Sequence, residues 1–484
     1  MRGGMRAVVI GAGIGGLAAA CLLAKKGYAV TVLERTERVG GKMSEYTEKG
    51  FRFDTGPSLL TMPFVLEKLF RDCGERMEDH LELMPLDPIC RYVYPDGTVF
   101  DCSHDVKQTV ASIRTFAGAD ADAYEGFLQY SETLYKRTAD AFLFNKLSEW
   151  SDLKHLNLLD LMRIDAFTNV SDRVDRWFSH PHMRKFFKRF TTYNGSSPYL
   201  APATLNVIPY VELVQGGFYV KGGLYRVAEA LRDMAIRQGV VFEFNRSVSC
   251  IDVENGTAVG VDGERYDIVV SNSDSTDTYT RLLPDSVVTP AKKRSFSAIE
   301  PSCSGFVLML GLDKTYPQLA HHNIFFSDDY KREFDDIFIR KSLPQDPTIY
   351  IADTSHSDPS HAPEGGSNLF IMVNAPYTAG QDWSTLKETY TEHLLRQLRL
   401  RLDGAITQHI VVKEVITPAD FEERYRSNRG SIYGTSSNNR LAAFLRPRNA
   451  SPLVKGLYLV GGSTHPGGGI PLCILSANHV ISSL

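Results

Sequence analysis

A short apolar strand, Arg6-Ala7-Val8-Val9-Ile10, runs directly into Gly11-Ala12-Gly13-Ile14-Gly15-Gly16. A small-residue helix follows, then a second strand from Tyr28 to Leu33 and an acidic residue, Glu34. This order is the dinucleotide-binding βαβ fingerprint in its full context, and it makes a nicotinamide or flavin cofactor the first thing to explain. Gly11 permits the tight turn, Gly13 lets a pyrophosphate approach the backbone, and Gly16 lets the helix pack close on the strand. The helix start at Ile14 and Gly15 offers free N–H groups and the positive end of its dipole to phosphate. Glu34, about 20 residues on, stands where a carboxylate accepts ribose hydroxyls. The flanks agree: Ala18, Ala19, Ala20 and Cys21 suit close helix–sheet packing, and Gly27 ends the helix.

Beyond Glu34 the chain reads Arg35-Thr36-Glu37-Arg38-Val39-Gly40-Gly41-Lys42, a second glycine pair where backbone can approach a phosphate. Arg38 or Lys42 either offsets the phosphate charge or is a solvated loop cation. The turn in Phe53-Asp54-Thr55-Gly56-Pro57-Ser58 is another place for backbone to lie against a cofactor. Near the other end, the strand Gly456-Leu457-Tyr458-Leu459-Val460 runs into Gly461-Gly462, and a helix begins at about Ile470, after Gly469, with Pro471 in its first turn. That helix end suits the negative charge of a reduced flavin ring. His465, among these glycines, is read as a structural hydrogen-bonding group, with a proton-transfer role left open.

The 484 residues allow two or three domains and a large core. A net charge of −4 points away from nucleic acid. Apolar runs are strand-length, well short of the roughly 18 residues a transmembrane helix needs. The first apolar stretch becomes the fingerprint strand, so no signal peptide is expected. Seven scattered cysteines without CxxC spacing read as reduced thiols with no zinc site, which makes a cytosolic location the default. His321 and His322 lack a ligand partner at metal spacing and read as surface histidines.

Along the chain, 5–90, 218–290 and 450–484 read as a discontinuous dinucleotide-binding domain, with 91–104 and 291–449 as a substrate-binding domain. Residues 105–217 read as a helical insertion, with helical spacing over Asp122 to Lys136 and Leu153 to Phe167. Within it, Met183, Phe186, Phe187 and Phe190 share one helical face opposite a set of cations, the pattern either of a membrane-interface helix or of a core-packed one. A helix is expected from Tyr225 to Arg237, followed by a strand from Val241 to Phe244. Hairpin turns are expected at Asn255-Gly256 and Asp262-Gly263, and a strand from Asp267 to Val270 leads into Ser271-Asn272-Ser273-Asp274.

Taken together, Gly11 to Gly16, the Glu34 to Lys42 run, Phe53 to Ser58 and the block from Thr464 to Pro471 resemble the bacterial carotenoid (phytoene) desaturase family. That family lies within the flavin amine oxidase superfamily, and the resemblance covers nearly the whole chain. The usual C-terminal form is closer to Thr-His-Pro-Gly-Ala-Gly-Val-Pro. The variant here, with Tyr193 to Tyr199, His322 to Ser327 and Tyr433 to Asn439, is most similar to the hydroxycarotenoid 3,4-desaturase branch. Gly462-Ser463 stands where amine oxidases usually keep an acidic residue.

The resemblance implies an α/β fold: a Rossmann-type FAD-binding domain, a mixed-sheet substrate domain and the helical, membrane-associating insertion. It implies FAD held by Gly11, Gly13, Ile14, Gly15, Gly16, Glu34, Arg35, Gly40, Gly41, Lys42, Gly56, Pro57, Ser58, Val248, Gly461, Gly462, Gly469, Ile470 and Pro471. It also implies oxidation of a single bond beside a polyene. An allylic carbon gives up a hydride to the flavin, and the neighbouring carbon then loses a proton. No side chain emerges as a required base. Oxygen or a membrane quinone is expected as electron acceptor, and the expected place of work is the cytoplasm, peripherally on the inner face of the cell membrane. Phytoene desaturation over several steps, carotenoid isomerisation, amine oxidation and a non-redox prenyl-lipid carrier similar to the Rab GDP-dissociation inhibitors remain open alternatives.

Overall fold

The computed structural model describes residues 4–144, 163–439 and 446–484. The opening strand, Arg6–Ile10, is central in a five-stranded sheet ordered Leu457–Leu459, Ile268–Ser271, Arg6–Ile10, Ala29–Leu33, Val241–Glu243. All its pairings are parallel, and Val9 lies opposite Val270 on one side and Val32 on the other. A parallel sheet needs both faces covered. On one face the helix Ile14–Lys25 is buried from Ile14 to Leu23, wedged against Ile470–Ile481 and Tyr225–Arg237. Its small residues make that three-way packing possible. On the other face, Val8, Val269 and Leu457 share a core with the meander Ile251–Glu254, Thr257–Val261 and Glu264–Arg265. Both of its turns, Asn255-Gly256 and Asp262-Gly263, carry positive φ at the two central residues, the type I′ geometry that Asn-Gly and Asp-Gly favour.

The second sheet has seven strands, ordered Ile410–Ile416, Ser304–Leu312, Ser367–Ala375, Ile349–Asp353, His322–Phe325, Cys90–Val93, Val99–Cys102. Ser304–Leu312 is buried along its whole length between two antiparallel neighbours. Cys90–Val93 joins parallel to His322–Phe325, bringing an early segment beside a late one. The helix Trp383–Arg401 buries Tyr390, Leu394 and Leu398 against one face.

The helix expected over Asp122 to Lys136 is present and longer, Gly118–Thr138. The one expected over Leu153 to Phe167 falls largely outside the described residues. The membrane-interface reading of Met183 to Phe190 is corrected. The helix Pro181–Lys188 continues into a tighter turn, Arg189–Asn194, and Met183, Phe186 and Phe187 are 0% exposed. Phe187 lies 4.3 Å from the Phe127 ring and 4.6 Å from that of Phe178. Phe186 meets Tyr92 edge-on at 4.9 Å. The cations are engaged too: Lys185 Nζ donates to the Ser327 and Asp328 carbonyls, and Lys188 Nζ to Asp175. An apolar stripe opposite cations serves a core as well as a bilayer, and here aromatic neighbours from distant segments claim it. Among the described residues, no helix is long and apolar enough to cross a membrane.

Candidate active site

A cavity of about 1100 Å³ lies between the carboxyl ends of the parallel strands and the seven-stranded sheet. Gly11, Gly13, Ile14, Gly15, Glu34, Arg35, Gly40, Gly41, Lys42, Gly56, Pro57, Ser58, Val248, Gly461, Gly462, Gly469, Ile470 and Pro471 all line it. Gly16 does not: a Cβ there would sit 2.2 Å from the Gly11 carbonyl oxygen, so its work is helix–strand contact. At Gly15 a Cβ would lie 2.7 Å from the Gly461 nitrogen, and at Gly56 2.0 Å from the Lys42 carbonyl oxygen. The two glycine-rich junctions therefore touch each other across the cavity wall. Between them stands Asn272, whose amide would meet a Cβ on Gly13, Gly15 or Gly461 at 2.6 to 2.8 Å. It lines the cavity and was not singled out from sequence. The only signal was its place directly after an apolar strand, at the carboxyl edge where open α/β sheets bind ligands.

The helices Ile14–Lys25 and Ile470–Ile481 both begin at a glycine, with no side-chain cap and no acidic residue in the first turn. Their first N–H groups are left for an anion. The buried Glu34 carboxylate accepts from the Ala12 N–H at 2.8 Å and from the Thr36 N–H at 2.9 Å. It thus ties the end of the second strand to the glycine loop. Asp54 performs a similar service for the Gly56 turn. It accepts from Arg52 at 2.7 Å and Tyr219 at 2.6 Å, and it caps the helix at Leu224 and Tyr225.

The cations sort differently from one another. Arg38 is an exposed partner of Glu37 at 3.1 Å. Arg35 donates to the carbonyls of Glu423 and Arg424, bracing the helix Pro418–Tyr425. Lys42 Nζ donates to the carbonyls of Ser431 and Ile432 at 2.9 and 3.0 Å, and burial pushes its pKa down. Arg446, missed from sequence, is buried beside Gly467 and donates to the Gly462 carbonyl at 3.4 Å. With no carboxylate partner among the described residues, its pKa is lowered to about 10 by burial.

His321 and His322 are buried, not on the surface. His322 lines the cavity with ring nitrogens 3.1 Å from the carbonyl oxygens of Ile89 and Ser58, and burial lowers the pKa of both histidines. His465 lines the cavity and is anchored through its backbone: its N–H donates to Pro447 and its carbonyl accepts from Asn449. The remaining wall is mostly aliphatic and aromatic, including Val211, Ile324, Phe370 and Tyr433. All seven cysteines are free thiols.

Bare glycine backbone, two uncapped helix starts and a ribose-level carboxylate fit a dinucleotide cofactor, and the apolar remainder fits a hydrophobic substrate. The protein is an FAD-dependent oxidoreductase that belongs to the flavin-containing amine oxidoreductase family, whose model matches residues 14–480. Within that family it belongs with the carotenoid desaturases and oxygenases. It is 38% identical over 479 residues to the 1-hydroxycarotenoid 3,4-desaturase of Flavobacterium sp. (strain P99-3), covering 98% of this chain and 97% of the relative. It is 38% identical over 489 residues to the 4,4'-diapolycopene oxygenase of Methylomonas sp., again 98% and 97%. The 4,4'-diaponeurosporene oxygenase of Staphylococcus haemolyticus (strain JCSC1435) is 35% identical over 487 residues, 99% and 96% of the two chains. Among solved structures, an oxidoreductase from Methanosarcina mazei superposes with a TM-score of 0.64 at 19% identity, covering 99% of this chain and 100% of that one. Putrescine oxidase bound to putrescine gives 0.64 at 13%, covering 99% and 98%. These two likenesses concern the fold alone.

Proposed function

We propose that the chain is a carotenoid desaturase that removes two hydrogens from a saturated C–C bond next to a polyene, acting as a hydroxycarotenoid 3,4-desaturase. One observation carries this reading: a single cavity is lined both by the glycine cradle and by a long run of apolar side chains. Bound FAD supplies a hydride acceptor. The chain's own residues bind and orient. Gly11 to Gly15 and Gly40-Gly41 would admit the pyrophosphate, and Glu34 the ribose. Gly461 to Pro471, the helix start at Ile470 and Arg446 would hold the ring where positive potential favours added negative charge. The apolar wall positions the polyene and excludes water, and conjugation in the substrate itself spreads the developing charge.

Expression in cells that accumulate a hydroxylated carotenoid tests the reading. The expected product is two hydrogens lighter with red-shifted absorption, and unchanged mass would overturn it. Similarity to the Methylomonas oxygenase equals that to the desaturase, which favours oxygenation as a second reading. A product that gains oxygen identifies that case.

The same reading puts the enzyme peripherally on the inner membrane face, where its substrate dissolves. Phe64 and Phe144 are exposed, their rings 6.3 Å apart, next to cavity-lining Met62 and Leu143. Replacing both with Ser should weaken binding to anionic vesicles by roughly tenfold or more. Unchanged flotation would overturn this attachment.

A further inference from the structure

The cavity wall holds a charged pair that an all-hydrocarbon substrate does not need. Arg189, at the start of the turn Arg189–Asn194, donates through Nη2 to Glu212 Oε1 and to the Tyr92 hydroxyl. The side chains of Arg189 and Glu212 are only 6% and 2% exposed. The Tyr193 hydroxyl donates to Glu212 Oε2. Arg189, Tyr193 and Glu212 all line the cavity, amid Leu205, Ile208 and Val211.

Burying two charges carries a heavy desolvation cost, and well-packed apolar residues in their place are often neutral or stabilising. The fold alone therefore gives weak reason to keep the pair. Arg189 Nε is itself buried with no acceptor among the described residues, a further cost. What the arrangement does achieve is to orient one phenol. Tyr193 is the least buried of the three, and its only proton is committed to Glu212. Arg189 also approaches the Tyr193 oxygen, which keeps a further lone pair as an acceptor and cannot donate to a second group. Such an oxygen in an apolar wall accommodates a hydroxyl on the substrate. A carbonyl or ether oxygen would face it lone pair to lone pair.

From this geometry we infer that Tyr193, positioned by the Glu212–Arg189 pair, accepts a hydrogen bond from a hydroxyl group on the polyene and makes the enzyme prefer hydroxylated substrates. The inference rests on the desaturase reading and assigns the residues behind its substrate class. Glu212 and Arg189 act through Tyr193 and are positioning residues.

The test compares kcat/KM for a hydroxylated polyene and for its unsubstituted parent, in one detergent, with flavin-loaded wild-type, Tyr193→Phe and Glu212→Gln enzymes. The ratio cancels any loss of folded enzyme, so a merely structural role leaves it unmoved. Wild type is expected to favour the hydroxylated polyene, and both variants to lower that preference roughly 10- to 100-fold, as for a lost buried hydrogen bond. A ratio unchanged by Tyr193→Phe, or a wild type indifferent to the hydroxyl, overturns the inference while desaturation stands. A flavin-loaded wild type that converts neither polyene overturns the desaturase reading and this inference with it.

Discussion

Burial pushes the Glu333 carboxyl up to about 7, although Ser327 and Thr348 donate to its Oε2 at 2.8 and 2.7 Å. The other oxygen, Oε1, has no partner among the described residues. In the unfolded chain the same group ionises near 4.5. Between those two values the unfolded state has released its proton while the fold still holds it, so stability falls as pH rises through this window. Above the folded value the penalty stays constant at up to about 3 kcal/mol. Glu333→Gln keeps the acceptor and removes the charge. Its thermal midpoint should match wild type near about pH 5 and exceed it near about pH 8. A difference that does not change with pH would show that the carboxyl titrates normally. Thr348 lines the cavity, so this buried acid lies one side chain behind the substrate wall.

The segment Pro181–Asn194 shows how one element can be read in two ways. Its Phe187 ring sits among Phe127, Phe178 and Tyr124, all buried. Phe187→Ala should cost about 3–5 kcal/mol, seen as a lowered unfolding midpoint, and leave vesicle binding per folded molecule unchanged. A variant as stable as wild type that no longer binds vesicles would return this helix to the surface. Elements set by local chemistry were legible in the sequence. Tyr225–Arg237 has the bounds expected of it, and the Asn-Gly and Asp-Gly turns fall where they should. What stayed hidden depends on pairing between distant segments. His322 is buried because Ile89 and Ser58 close over it, and no local pattern records that neighbourhood. Asn272 reads as one polar residue in a loop until the strand order sets it among three glycines.

At the scale of the whole molecule, the cofactor cradle is assembled from both ends of the chain. Gly15 and Gly461 meet so closely that Gly15→Ala would drive a methyl group into the Gly461 nitrogen and the Asn272 side chain. FAD affinity should fall roughly tenfold or more, read by titrating apoprotein with FAD. A variant that stays fully yellow through purification would mean the two junctions can part without loss. The sheet beneath carries the same dependence: Ile268–Ser271 must sit between Arg6–Ile10 and Leu457–Leu459 before either junction has its shape. On the ribosome, the first strand and its glycine turn emerge long before the partner segment has been translated. Until synthesis reaches Leu459, the nascent Ile268–Ser271 strand lacks its neighbour on that side, and a bare parallel edge is open to the wrong partner.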